Sequence, residues 1–158
     1  MTPEKFDVVI LADVLEHLDQ PERVLEGVRS ILTKDGIVIA TVPASMLLWS
    51  DRDVFLGHRK RYARREFAEL LCASGFEVLH NNYAFFSLYP PAFFFRKIWS
   101  RFSKKSGQKI EAGELREVPV INTLLHWLGS AEITLSRHIP LPCGTSTYCV
   151  ARPLYSYP

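Results

Sequence analysis

The chain has 158 residues, 47% of them hydrophobic and 23% charged, with a formal net charge of +2. That is enough apolar material for one domain with a sizeable core, which excludes a chain disordered over most of its length. The charge is too small to imply nucleic-acid binding by itself, although acids outnumber bases through Asp53 and bases dominate from Val54 to Lys109. Cys72, Cys143 and Cys149 form no C-x-x-C pair, so neither a disulfide framework nor a zinc site is indicated and a reducing cytoplasm fits. Met1 to Lys5 is polar and reads as no signal peptide, and no run reaches the roughly 18–20 apolar residues of a membrane span.

The first element is "FDVVILA", Phe6 to Ala12. Such a near-continuous apolar run predicts a strand buried on both faces at the centre of a parallel sheet. Five residues precede it, too few for an earlier strand to lie against its first side. Asp19 and Glu22 stand three apart with Pro21 in the first turn, which predicts a capping-box helix start. Val24, Leu25, Val28, Ile31 and Leu32 share one face of that helix, and Gly36 is its expected end. "IVIATVP" follows as a second strand, so the two strands are expected parallel, adjacent and joined by a crossover. The fold class is α/β.

The stretch "ASMLLWSDRDVFLGHRKRY" matches neither the helical nor the strand period and is read as a long loop, a place where α/β sheets carry function. Arg64 to Ser74 reads as a short helix with Phe67, Leu70 and Leu71 inward, stopped by Gly75. "FEVLHNNYAF" resumes strand character. From Ser87 to Lys105 the chain is aromatic, broken by Pro-Pro, and then basic. Ile121, Leu124, Leu125, Leu128 and Leu135 mark another amphipathic helix, and "STYCVAR" closes as the last strand. Residues 1–158 are read as a single domain with a helical insertion, 87–138, before the last strand.

This order of motifs resembles the C-terminal half of class I S-adenosylmethionine-dependent methyltransferases. "FDVVILADVLEHLDQPERVLEGVRSILTKDGIVIATVP" is similar to that family's fourth strand, following helix and fifth strand. "LLWSDRDVFLGHRKRY" resembles a subgroup whose loop after strand five carries LWS…D…GHRRRY, and "LPCGTSTYCVARP" resembles the subgroup's antiparallel last strand. The resemblance implies a partial Rossmann-like sheet of strands four to seven, S-adenosylmethionine as cofactor, and methyl transfer to a small or lipid-linked acceptor. The family cradles its cofactor in a glycine-rich turn after strand one and holds the ribose with an acid ending strand two. None of the eight glycines stands in a G-x-G. The resemblance therefore implies a truncated chain, its N-terminal half missing in cis or in trans. The alternative is a non-catalytic fragment or partner-binding half whose exposed strand pairs with another chain.

Ligands of open α/β sheets bind at the carboxyl ends of strands. Ala12, Asp13 and Val14 end the first strand, and the family places the cofactor's methionine portion there. His17 is expected to line the same pocket. Asp13, Glu16 and His17 also give a D-x-x-E-H spacing resembling the metal-binding E-x-x-E-H of ubiquinone-pathway O-methyltransferases. One short turn supplies only a partial shell, so no metal is expected and Glu16 is read as structural.

The long loop supplies the catalytic candidates Trp49, Asp53, His58, Arg61 and Tyr62. His58 is the expected base, because a methyl acceptor hydroxyl must lose its proton and imidazole suits that task. Arg59, Lys60, Arg61, Arg64 and Arg65 are read either as holders of a substrate anion or as a solvated face. Arg52 stands where the subgroup often has histidine, and Ala63 replaces a capping Ser or Thr. His80, His126 and His138 are read as structural. The aromatic and basic stretch 87–105 suits a membrane interface, or else Phe93 to Phe95 pack on the sheet or on the missing half; the expected location is cytoplasmic, with a peripheral contact at the membrane surface under the first of these readings.

Overall fold

The computed structural model describes residues 5–96, 119–136 and 138–154. Four strands make one sheet: β1 (Phe6–Ala12), β2 (Leu32–Pro43), β3 (Phe76–Ala84) and β4 (Ser146–Pro153), in the order β1-β2-β4-β3. β1 runs parallel to β2, with Val8 opposite Ile37 and Ala12 opposite Thr41. β4 is antiparallel to both β2 and β3. The α/β class, the parallel first pair and the antiparallel last strand are as expected.

Helix α1 (Pro21–Ile31) crosses between β1 and β2, and helix α3 (Arg64–Ala73) leads into β3. They share one core with Leu11, Val38, Ala40, Val42, Phe76 and Ala151 from the sheet, and the helices contribute Leu25, Val28, Phe67 and Leu71. The period-two alternation of β2 places Val38, Ala40 and Val42 fully inside while Ile37, Ile39 and Thr41 are only partly covered.

β1 departs from its expected burial on both faces. It is an edge strand: Leu11 is buried, Val9 packs against the core, and Phe6, Val8 and Ile10 point away from it, Ile10 65% exposed. The edge position follows the expectation of no earlier strand on its first side; what the hydrophobic run did not show is that one face stays uncovered among the described residues.

The capping-box start of α1 also needs correction. Gln20 is the N-cap without a side-chain bond, and Asp19 instead pairs with Arg59 at 3.2 Å on the surface. Nor does α1 reach Gly36. Leu32 is already extended (φ −75°, ψ 146°) and pairs with Phe6, so β2 begins there. Gly36 serves a close approach, since an added Cβ would stand 3.0 Å from the Phe6 carbonyl oxygen. At the start of α3, Ala63 has no side-chain acceptor, and only half of a box remains: its N–H donates to Glu66 Oε2 at 3.3 Å.

The segment read as irregular contains a 3-10 turn at Met46–Leu48 and a short helix α2 (Asp51–Phe55). Pro90 and Pro91 fall in the first turn of α4 (Tyr89–Phe94), where a missing N–H is harmless, so they start a helix and do not break one. Helix α5 (Pro119–Ser136) is tied to β3 by Asn82. That buried side chain donates to the Ser136 and Ile139 carbonyls at 2.8 and 3.0 Å and accepts from the Leu141 N–H at 2.8 Å.

Candidate functional site

Because β1 and β2 are parallel neighbours, their carboxyl ends open at the same edge of the sheet. Ala12, Asp13 and Val14 are exposed there. Asp13 adopts φ 51°, a left-handed conformation that Asp tolerates better than most residues. Its N–H donates to the Thr41 carbonyl at 3.1 Å, and its carboxylate accepts from the Thr41 hydroxyl at 3.0 Å. The chain then makes one 3-10 turn, Leu15–His17, that buries Leu15 and Glu16 and leaves His17 outward.

The loop after β2 is organised around Asp53. Ser50 caps α2 through this residue: the Ser50 N–H and hydroxyl donate to Asp53 Oδ2 at 2.9 and 3.1 Å. On the other oxygen, Oδ1, arrive Arg61 Nε at 2.7 Å and His58 Nδ1 at 2.9 Å. Arg96 approaches Oδ2 at 3.4 Å and also donates to the Leu48 carbonyl. Burial by itself would raise the Asp53 pKa, but the bonds from Arg61 and His58 reverse this and hold the carboxyl below its usual range. An ionised carboxylate only accepts, so His58 donates from Nδ1, and in the neutral ring this places the lone pair on Nε2.

His58 leans toward the turn after β1. Its ring meets that of His17 edge to face, with centroids 4.8 Å apart. The Arg59 N–H donates to the Glu16 carbonyl at 2.6 Å, locking the two loops together. Glu16 itself is fully buried, and neither carboxylate oxygen has a hydrogen-bond partner. His17 Nε2 stands 3.9 Å from Oε1, an ion-pair distance only. Burial pushes the Glu16 carboxyl up and Asp13 adds to this, while its own backbone N–H and the two imidazoles oppose it. That backbone N–H lies outside hydrogen-bond geometry. One donor atom from each of Glu16, His17 and His58 lies within 4.8 Å of the other two.

The structure thus brings Asp53, His58 and Arg61 together and sets His17 beside them. Tyr62 is not part of this group. It is a core residue packed on Phe67 (centroids 5.6 Å), and its buried hydroxyl has a raised pKa. Trp49 is partly buried after the 3-10 turn. Arg61 is spent internally, since Nη1 also donates to the Ala44 carbonyl at 3.1 Å. Arg59 and Arg65 pair with Asp19 and Glu69, Lys60 pairs with Glu66, and the Arg64 guanidinium lies 5.7 Å over the Tyr83 ring.

Arg96, read from the sequence as part of a basic helix suited to a lipid surface or to packing, turns its guanidinium inward to Asp53. Lys97, Arg101, Lys104 and Lys105, the rest of that basic run, lie outside the described residues. No helix among the described residues is long and apolar enough to cross a membrane. Glu16, structural on the sequence reading, is the buried acid of this turn. It shares a one-turn helix with the buried Leu15 and is itself buried, which the local sequence does not signal.

The family model described as "Methyltransferase domain" matches residues 2–81. No curated protein matches. Among solved structures, a "Complex between the Haloferax volcanii Trm112 methyltransferase activator and the putative methyltransferase" is similar with TM-score 0.51 at 12% identity, over 99% of this chain and 57% of that one. A SAM-dependent methyltransferase from Archaeoglobus fulgidus is similar with TM-score 0.51 at 14% identity, over 96% of this chain and 61% of that one. The [4+2]-cyclase SpnF is similar with TM-score 0.52 at 19% identity, over 98% of this chain and 52% of that one. At these identities the likeness is one of fold, and the chain spans little more than half the length of each of these three structures.

Proposed function

The chain belongs to the methyltransferase-domain family, and from that premise we propose that it serves S-adenosylmethionine-dependent methyl transfer to a hydroxyl of a small or lipid-linked acceptor. The observation that carries this reading is the Asp53–His58 pair, held at the carboxyl edge of the sheet against the turn that follows β1. A SpnF-like fold serves a cyclase as well, so the fold alone would not carry it.

The residues at the end of β1 suit one end of the cofactor. Ala12, Asp13 and Val14 are exposed there, with His17 adjacent, and these would hold the methionine portion. No described glycine follows a strand in a G-x-G turn, so the remaining part of the cofactor needs groups beyond this sheet. When bound, S-adenosylmethionine supplies an electrophilic methyl group.

His58 takes the acceptor's hydroxyl proton on Nε2, while Asp53 stays ionised and stabilises the imidazolium that forms. Arg61 and Arg96 are positioning residues that keep Asp53 in place and charged. Trp49 and the exposed Phe55, at the two ends of the 49–55 segment, offer an apolar rest for the acceptor. Phe94 and Phe95 are exposed as well and support delivery of an acceptor from a lipid surface.

The test is release of S-adenosylhomocysteine with a panel of hydroxyl acceptors, by the chain alone and by the chain fused to a glycine-rich half-domain of a family member. Release in the fused form that His58→Ala lowers by about 10² or more is the expected result. No release in either form removes methyl transfer.

A second reading is favoured by the place of β1 at the edge of the sheet, where its uncovered face also carries Phe6, Val8 and Ile10. The outer edge of β1 then pairs with a further strand, of this protein or a partner. Protection of β1 amides from hydrogen exchange on adding the glycine-rich half would support it, and unchanged exchange would end it.

A further inference from the structure

We propose that Glu16, His17 and His58 bind a divalent first-row transition-metal ion of the Zn²⁺ type. Two imidazoles and one carboxylate are a donor set that such ions accept, with coordination positions left over. The three donor atoms already lie within 4.8 Å of one another. Bonds of about 2.0–2.2 Å in a tetrahedral site bring ligand atoms to roughly 3.4 Å, so closure needs shifts of about 1 Å. His17, with a side chain 41% exposed, has the freedom to make them.

Two neighbouring buried acids are treated oppositely by the fold, and the contrast points to a ligand. Asp53 receives Ser50, His58, Arg61 and Arg96. Glu16, equally buried, receives no hydrogen bond on either oxygen. A carboxylate taken out of water without a hydrogen-bond partner is costly, and a cation between Glu16 and the two imidazoles removes that cost.

The second observation is the hold on His58. A carboxylate that accepts the far ring N–H is the usual support of a metal-bound imidazole, fixing its tautomer and leaving the other nitrogen free to ligate. Asp53 does this at 2.9 Å from Nδ1. Asp13, which shares the local spacing with Glu16 and His17, is engaged by Thr41 and is not one of the three. With the ion bound, His58 Nε2 is a ligand, so its proton-accepting role belongs to the metal-free protein. The inference does not rest on methyl transfer, because its readout is binding.

The experiment uses the untagged 158-residue chain, stripped with a chelator, then titrated with Zn²⁺ by calorimetry and with Co²⁺ by visible d–d absorption. One ion per chain is expected, with a Co²⁺ spectrum of low coordination number. His17→Ala removes an exposed ring and Glu16→Gln keeps shape while removing charge. Each is expected to weaken Zn²⁺ binding by about tenfold or more, a loss at least as large as that from disturbing a metal's outer shell. No stoichiometric binding by the unaltered chain overturns the proposal. So does unchanged affinity in His17→Ala, which decides the matter alone if Glu16→Gln fails to fold.

Discussion

His58 Nδ1 lies 2.9 Å from Asp53 Oδ1, and this one bond ties an imidazole side chain 9% exposed to a carboxylate that is 1% exposed. The same oxygen takes Arg61 Nε at 2.7 Å. Removing the charge therefore strands a buried guanidinium as well as an imidazole. Asp53→Asn is expected to lower folding stability by about 3–5 kcal/mol, the usual cost of leaving one member of a buried pair uncompensated. Urea unfolding measures it. A loss below about 1 kcal/mol would mean that Arg61 finds another partner.

In a protein that carries the complete donor site, His58→Ala is expected to slow methyl transfer by about 10² to 10⁴ with little change in donor affinity. Turnover and S-adenosylmethionine binding should be measured on the same preparation. Unchanged turnover, or a loss traced wholly to donor binding, would leave the loop after β2 as a lid only.

S-adenosylmethionine is expected to bind weakly or not at all to the 158-residue chain by itself, since no G-x-G turn is available to approach the nucleoside end. Calorimetry decides this. Micromolar affinity would show that the strands carrying that turn in the family are dispensable here.

Cys149 is fully buried in β4, and burial, with a smaller contribution from Cys72, pushes its thiol up to about 12. The unfolded thiol ionises near its ordinary value, so the folded state keeps a proton that the unfolded chain gives up. Stability from this source is complete below the unfolded pKa and is lost as pH rises toward about 12. The loss amounts to about 4 kcal/mol over that window. Urea midpoints followed into alkali should fall more steeply for the natural chain than for Cys149→Ala, and parallel curves would contradict the prediction.

Hydrophobic patterning alone determined much of the architecture. Phe6–Ala12, the face of α1 and "IVIATVP" describe a parallel pair, and Phe67 and Leu71 identify the inward side of α3, because periodicity reports local geometry directly. The sequence also located the loop that holds Asp53, His58 and Arg61. It could not show that Tyr62 belongs to the core, that Arg96 reaches Asp53, or that β1 leaves one face uncovered. Nor could it place His58 beside Glu16 and His17. Those relationships join segments distant along the chain, and they are set by sheet order, by the Arg59–Glu16 backbone bond and by which acids the buried cations can reach. Local propensity is blind to such terms, which exist only once the strands are in register.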